Sequence, residues 1–364
     1  MRRAELVVIG AGPAGLRAAI EAGEAGVEVL LVDEHERAGG QLFKQIHKFF
    51  GSQEHFAGKR GFDIGEELLA RCCELGVVIR LSTVAYGIFP DKVVGLACQG
   101  HVEHVQAERL VLAAGAQEKG VAFPGWTLPG VMGPGAAQTL LHIHRVLPGR
   151  RALMVGSGNV GLIVAYQLLQ PGAEVAAVVE ARNNIGGYLI HAEKLTRQGV
   201  PIYLRHTVLR AEGEAGIERA IIGELDDAGE PAPGRERALD VDCLCLAVGL
   251  SPLTELAEMA GCQLAYVPEL GGHVPVHDDN METTVPGIYV AGDLAGIEEA
   301  SMAMDEGRLA GVAAAESLRR LGPDEAKAHK EAIRAPLREL RLGPSANQVA
   351  SGDGGEPSHG YSTR

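Results

Sequence analysis

The chain has 364 residues, enough for two or three compact units, and its hydrophobic content of 46% is that of a globular protein. Its formal net charge of −14 argues against a nucleic-acid partner, because binding to phosphates needs clustered lysine and arginine. Six cysteines in this length do not make a disulfide scaffold, and no apolar stretch approaches the roughly 20 residues that cross a bilayer. We therefore expect a soluble, cytoplasmic protein without a membrane partner.

The N-terminal segment, residues 5–34, has the order strand, glycine turn, helix, strand. Its apolar runs at 5–9 and 27–32 flank an alanine-rich helical stretch at 14–24. The same order returns at 151–180, with a helix predicted at 160–169 and a second strand at 174–179. Two such βαβ segments about half a chain apart predict an α/β fold with two Rossmann-like dinucleotide-binding domains.

Three further segments complete the predicted organisation. Residues 77–111 are rich in β-branched residues and predict a small antiparallel meander. A Gly- and Pro-rich connector at 123–130 is a natural crossing between domains. Residues 345–364 carry almost no apolar side chains, so we expect a disordered tail.

The first glycine turn fits the dinucleotide fingerprint. In this pattern the first glycine allows a tight turn, the second lets a pyrophosphate approach the backbone, and the third lets helix pack on strand. The turn consists of Gly10, Gly12, Pro13, Ala14 and Gly15. Asp33 and Glu34 end the second strand, where an acid is expected to accept hydrogen bonds from ribose hydroxyls.

The second glycine turn repeats this pattern with Gly156, Gly158, Asn159, Val160 and Gly161. Its acid is Glu180, and a carboxylate there would repel a 2′-phosphate, so NAD(H) is favoured over NADP(H). Arg182 lies two residues further on and could still neutralise such a phosphate. The alternative is a Rossmann unit that packs well and binds nothing.

Three further motifs resemble those of the flavoproteins with two dinucleotide-binding domains, the pyridine nucleotide-disulphide oxidoreductase-like class that includes glutathione and thioredoxin reductases. They are Gly39-Gly40-Gln41, the strand end at 111–115, and the glycine-aspartate motif at 287–293. The resemblance implies FAD in the first unit, with contacts from Gly40, Gln41, Ala114, Gly115, Gly292 and Asp293.

The same resemblance implies that the FAD domain is discontinuous and that the nicotinamide domain is inserted into it. The expected bounds are 1–120 and 251–322 for the FAD domain and 121–250 for the inserted domain. A helical extension and tail follow at 323–364.

The stretches 124–138 and 295–308 resemble a smaller group within this class. They are similar to the alpha, nucleotide-binding subunits of heteromeric sarcosine oxidases and of proline or hydroxyproline dehydrogenases. That similarity implies a heteromer in which a partner flavoprotein subunit oxidises the amine. The chain has no cysteine after Cys262, so it departs from longer members that carry a C-terminal iron–sulfur module.

The cysteines argue against disulfide reduction, which needs two thiols beside the flavin. No cysteine lies directly after the first Gly-Gly, at 41–47, or directly before the first strand of the second unit, at 130–135. Cys72 and Cys73 are adjacent on a predicted helix and point apart, while Cys243 and Cys245 have the pattern of small core residues in a strand. We expect no redox-active dithiol.

Residues 41–61 combine dense polar residues with four phenylalanines. Lys44 or His47 could place positive charge near the flavin, although an amphipathic helix with a solvated face is the simpler interpretation. His142 and His144 lack a third ligand at metal spacing, so we predict no metal site.

These patterns predict an FAD-dependent oxidoreductase, or its flavin subunit, that acts on a small-molecule substrate. Electrons would pass between bound FAD and either a nicotinamide nucleotide or an amine or amino-acid donor. No residue is identified as the catalytic acid or base. The alternative is a non-catalytic nucleotide-binding subunit that docks a separate amine-oxidising flavoprotein.

Overall fold

The computed structural model describes residues 2–49 and 52–342, which divide into two compact units. The first unit combines residues 2–117 with 251–342, and the second comprises residues 118–250. The tail predicted to be disordered, 345–364, lies outside the described residues.

The first half of the first unit contains two helices, α1 (Pro13–Glu24) and α2 (Gly61–Glu74). Its strands are β1 (Arg2–Ile9), β2 (Val29–Val32), β3 (Val78–Arg80), β4 (Val84–Phe89), β5 (Val93–Cys98), β6 (His101–Leu112) and β7 (Ala116–Glu118).

The second unit contains α3 (Pro134–Gln138), α4 (Asn159–Leu169) and α5 (Leu189–Arg197). Its strands are β8 (Val131–Met132), β9 (Arg151–Val155), β10 (Glu174–Glu180), β11 (Ile202–Leu204), β12 (His206–Glu212), β13 (Arg219–Leu225), β14 (Pro231–Asp240) and β15 (Cys243–Leu246). Strand β16 (Leu250–Pro252) leads back to the first unit.

The remaining elements complete the first unit. The strands are β17 (Leu264–Val267), β18 (Gly272–Pro275) and β19 (Ile288–Val290), and the helices are α6 (Glu255–Met259), α7 (Ala300–Ser317) and α8 (Pro323–Leu342).

The main sheet of the first unit has the order β3-β2-β1-β6-β5-β4, and β19 pairs with the carboxyl end of β6. Strands β1, β2, β3, β6 and β19 are parallel. Ile9 is level with Val32 on one side and Leu112 on the other, and Val290 pairs with Leu112. Four parallel strands therefore end together at one edge, the edge where α/β sheets bind ligands.

The second unit is built in the same way. Its five-stranded sheet, β11-β10-β9-β15-β8, is parallel throughout. Val155 is level with Val179 and with Leu246, so these strand ends also meet at one edge. A separate antiparallel sheet, β12-β13-β14, packs its buried residues against the central strands through a shared apolar cluster.

The α/β class and the Rossmann-like sheets predicted from the sequence are confirmed. The predicted meander is correct for β4, β5 and β6, which are antiparallel. It was wrong for β3, which extends the parallel sheet beside β2. Within residues 2–49 and 52–342, none of the helices combines the length and the hydropathy that spanning a bilayer requires.

Candidate functional site

The first glycine turn follows β1 and leads into α1. Gly10 has φ +102°, and a Cβ there would lie 2.1 Å from Ala113 O. A Cβ on Gly15 would lie 1.8 Å from Gly10 O, so both glycines serve the packing of the protein itself. Around Gly12, by contrast, a Cβ would meet nothing within 4 Å, and no side chain caps the start of α1. The second glycine thus leaves open space beside the backbone N–H groups of a helix N-terminus.

Two acids follow β2, and the structure distinguishes them. Asp33 is 9% exposed, and its carboxylate accepts hydrogen bonds from Ala11 N at 2.6 Å and His35 N at 2.8 Å. Glu34 is exposed to solvent. Asp33 therefore braces the glycine turn from the second strand, at the place where an adenine ribose would be held.

The Gly-Gly loop lies against the same turn. Gly39 N donates to Ala11 O at 2.7 Å, and a Cβ on Gly40 would lie 2.9 Å from Gly12 Cα. Gln41 is exposed in the 3-10 turn Gly40–Lys44. Ala114 and Gly115, which come shortly after β6, are partly exposed, and a Cβ on Gly115 (φ +76°) would meet nothing within 4 Å.

The late glycine-aspartate motif reaches this edge through β19. Gly292 has φ +71°, and a Cβ there would lie 2.9 Å from Ala14 Cβ in α1. Burial, with a smaller contribution from the negative charge of Glu298, raises the pKa of Asp293 to about 6. The residues predicted to bind FAD thus converge on one edge of the first unit, although they lie between positions 10 and 293.

The second glycine turn has the same division of roles. Gly156 (φ +103°) would place a Cβ 2.1 Å from Ala247 O, and Gly161 would place one 2.4 Å from Gly156 O. Gly158 would meet nothing within 4 Å, and no side chain caps α4 there. The side chain of Val160 is exposed at 42%.

Glu180 braces this second turn as Asp33 braces the first. Its Oε2 accepts from Ser157 N at 2.9 Å and from Ser157 Oγ at 2.6 Å, and its Oε1 accepts from Arg182 N at 3.0 Å. Ser157 was not among the site residues predicted from the sequence. Its position between the first two glycines of the turn could have identified it. The residue at the corresponding position of the first turn, Ala11, also donates a hydrogen bond to the acid of its turn, Asp33.

A second Gly-Gly pair covers the start of α4. Gly187 N donates to Ser157 O at 2.8 Å, and Tyr188 N donates to Asn159 Oδ1 at 2.8 Å. Gly187 follows Glu180 by seven residues, as Gly40 follows Asp33. The two units therefore repeat the loop as well as the turn.

All six cysteines are free thiols. Cys72 is buried, which raises its pKa to about 12, while the adjacent Cys73 is exposed. Cys243 and Cys245 bring their Sγ atoms to 3.8 Å, but both side chains are fully buried in the core of the second unit. Substrate disulfides have no access to that pair.

The polar segment after the Gly-Gly loop forms two 3-10 turns, Gly40–Lys44 and Gln53–His55, rather than one amphipathic helix. His55 is buried, with Nε2 2.8 Å from Asp305 Oδ2 and Nδ1 2.9 Å from Ser52 Oγ. This pair was not predicted from the sequence, because His55 and Asp305 are 250 positions apart. Phe50 lies outside the described residues.

Comparison with known proteins agrees with this geometry. The model of the pyridine nucleotide-disulphide oxidoreductase family matches residues 4–307. An opine oxidase subunit from Agrobacterium tumefaciens (strain Ach5) is 34% identical, over 86% of this chain and 66% of the relative. The alpha subunit of the sarcosine oxidase from Rhizobium meliloti (strain 1021) is 32% identical, over 70% of this chain and 25% of the relative. The chain thus spans just under two thirds of the first relative and a quarter of the second.

A solved structure extends the comparison to the fold. L-proline dehydrogenase from P. horikoshii superposes with a TM-score of 0.69 at 24% identity, covering 92% of this chain and 59% of that chain. The resemblance predicted from the sequence motifs is confirmed. The chain belongs to the pyridine nucleotide-disulphide oxidoreductase family.

Proposed function

We propose that this chain is the FAD- and nicotinamide-nucleotide-binding subunit of a heteromeric oxidoreductase that works without a redox-active dithiol. The family implies a flavin oxidoreductase that uses both nucleotides. FAD would occupy the edge of the first unit around Gly12, and NAD(H) the edge of the second around Gly158.

The observation that carries this proposal is the open space at Gly12 and at Gly158. The flanking glycines of each turn are required by close backbone contacts, whereas these two are not required by any neighbour within 4 Å. A glycine that the fold does not need, at an uncapped helix N-terminus, fits a site for a pyrophosphate. The same arrangement in both units supports two nucleotide sites.

The chain's own residues would bind and orient the nucleotides. Backbone N–H groups at the starts of α1 and α4 would donate to the pyrophosphates. Asp33 and Glu180 would accept from the ribose hydroxyls, and Asp293 would accept from the ribityl side of FAD. Bound FAD supplies the two-electron chemistry that protein side chains lack.

The proposal of a partner subunit rests on the names of the relatives and not on the geometry of this chain. The matched proteins are named as subunits of opine oxidase, hydrogen cyanide synthase and sarcosine oxidase. We propose an amine-oxidising flavoprotein as the partner and an amine or amino acid as the electron donor. The six cysteines provide no accessible dithiol. This supports the proposal that electrons reach or leave the FAD through a partner subunit.

A crossed pair of substitutions tests the two sites. Gly12→Ala and Gly158→Ala add a methyl group where the protein has room, at backbone angles that alanine adopts. We expect Gly12→Ala to weaken FAD binding about tenfold or more, a change of about 1.4 kcal/mol, and to leave NADH affinity unchanged. Gly158→Ala should do the reverse, and each substitution serves as the control for the other. Isothermal titration of the apo-protein with each nucleotide gives the affinities.

Thermal unfolding of the apo-protein completes the design. Both alanine variants should unfold as the wild type does, whereas Gly10→Ala should be destabilised because of its φ of +102° and the Ala113 carbonyl. Wild-type protein that binds no FAD, or two alanine variants with unchanged affinities, would refute the proposal. A chain that binds both nucleotides but keeps its flavin oxidised under anaerobic NADH would instead favour an amine as the electron donor or the docking subunit of the alternative hypothesis.

A further inference from the structure

The C-terminal helix of the first unit makes an ion-pair network with the loop that precedes α7. Arg341, in the last turn of α8, donates from Nε to Glu298 Oε1 at 2.9 Å and from Nη2 to Glu298 Oε2 at 2.7 Å. The same Nη2 lies 2.6 Å from Glu306 Oε1. One guanidinium therefore holds two carboxylates in a forked geometry.

Glu306 connects Arg341 to the late glycine-aspartate motif. Its side chain is 4% exposed, and its second oxygen, Oε2, accepts from Gly292 N at 2.8 Å. Gly292 is held in turn by its positive φ and its close approach to Ala14. The chain of contacts thus runs from Arg341 through Glu306 to the backbone turn from which Asp293 extends.

The electrostatics of this cluster depend on the charge of Arg341. Burial raises the pKa of Glu306 to about 8, with a further raising contribution from the charge of Glu298, and Arg341 opposes both effects. Glu298 acts on Asp293 in two opposite ways, since its backbone hydrogen bond lowers the pKa of Asp293 and its negative charge raises it. The neighbouring charges of α7 are engaged elsewhere, since Asp305 pairs with His55 and Arg308 with Glu21. Arg341 is therefore the cation that pairs with both Glu298 and Glu306.

We propose that Arg341 is a positioning residue for the FAD site. By pairing with Glu298 and Glu306, it holds the Glu306 carboxyl group on Gly292 N and so fixes the turn that presents Asp293. This inference rests on the proposed binding of FAD by the first unit. Without Arg341, the pKa of Glu306 rises further, so Glu306 stays protonated, and is a weaker hydrogen-bond acceptor, up to a higher pH.

The test compares Arg341→Gln with Arg341→Lys and with a control in the same helix, Arg338→Gln. Arg338 pairs with the exposed Glu331 and is itself 61% exposed. We expect Arg341→Gln to weaken FAD binding about tenfold, Arg341→Lys to weaken it less because it keeps the charge, and Arg338→Gln to bind as the wild type.

A second readout uses the apo-protein alone. Between the ordinary pKa of a glutamate and the raised value of about 8, folded Glu306 holds more protons than unfolded Glu306, so the free energy of unfolding falls as the pH rises. In Arg341→Gln the pKa of Glu306 rises further, and this fall should extend to higher pH by about one unit. In Glu306→Gln the contribution should disappear. Urea unfolding from about pH 5 to about pH 9 measures the profiles.

The outcomes separate the two proposals. Wild-type protein that binds no FAD refutes the proposed function, while the apo-protein profiles still test the coupling of Arg341 to Glu306. Arg341→Gln that binds FAD as the wild type overturns the positioning role, even if the variant is less stable. If Arg341→Gln does not fold, the double variant Arg341→Gln with Glu306→Gln decides, because it removes the buried carboxylate together with its counter-charge. FAD affinity equal to that of the wild type in this double variant also overturns the inference.

Discussion

The two acidic residues that hold the glycine turns, Asp33 and Glu180, illustrate how one carboxylate can bind the protein's own backbone and also be offered to a ligand. Asp33 and Glu180 each accept a backbone N–H from the residue between the first two glycines, Ala11 or Ser157. Ser157 adds a hydroxyl bond to Glu180 and is itself fully buried. These bonds fix the orientation of the Glu180 carboxylate in the protein itself. A carboxylate that is already oriented favours selective binding of one nucleotide.

The predicted preference for NAD(H) over NADP(H) can be tested at Glu180. Glu180→Gln removes the negative charge that would repel a 2′-phosphate while keeping an oxygen for Ser157. Because Arg182 lies two residues on, we expect the affinity for NADPH to rise about tenfold relative to NADH. Fluorescence titration with both nucleotides measures the ratio.

A control for this substitution lies in the same unit. Glu193→Gln removes a charge from α5 that pairs with the exposed Arg197, so its NADPH to NADH ratio should stay that of the wild type. An unchanged ratio in Glu180→Gln would contradict the role assigned to this carboxylate.

Which residues could be found from the sequence depends on the range of their contacts. The glycine turns and their acids lie about 23 residues apart in a fixed strand–turn–helix pattern, so spacing alone locates them. His55 and Asp305, or Arg341 and Glu306, meet only after the whole first unit has folded. No local pattern marks such pairs, because each residue looks like an ordinary charged residue of a solvated face.

At the scale of elements, α1 and α7 approach each other closely through small residues. A Cβ on Gly307 would lie 2.1 Å from Ala14 O, and one on Gly311 would lie 2.5 Å from Ala18 O. Because Ala14 belongs to the first glycine turn, the contact of the two helices also sets the position of that turn. The packing of α7 and the geometry of the proposed FAD site are therefore linked.

Gly307→Ala tests this link. The added methyl would collide with a backbone oxygen of α1, so we expect a loss of about 1–3 kcal/mol in the free energy of unfolding of the apo-protein. Gly322→Ala is the control, since a Cβ there meets nothing within 4 Å, and it should change the stability by less than about 0.5 kcal/mol. Urea unfolding of both variants measures the difference. Equal stability of Gly307→Ala and wild type would contradict the close packing.

Elements with a strong apolar period were predictable to within one or two residues. The predicted helix at 160–169 is observed as α4 (Asn159–Leu169), and the predicted strand at 174–179 as β10 (Glu174–Glu180). Strand β14 (Pro231–Asp240) was not predicted, because it is largely exposed and carries proline, glycine and charged residues in place of an apolar alternation. Its pairing with β13 comes from the tertiary structure.

At the scale of the whole molecule, the cysteines of this chain do not fit the disulfide chemistry for which its family is named. The family is named for disulfide reduction, yet the close thiol pair of this chain, Cys243 and Cys245, lies inside a core. The relatives that match most of the chain are subunits of larger enzymes. Both observations support a chain that holds nucleotides and exchanges electrons with a partner.

The most direct test is an anaerobic reductive titration of the FAD-loaded chain, followed by the visible absorption of the flavin. A flavin accepts two electrons, and a flavin with a redox-active disulfide accepts about four. We predict one tightly bound FAD per chain and complete bleaching after two electrons. A chain that binds no FAD, or one that takes up four electrons before its flavin is fully reduced, would contradict the account.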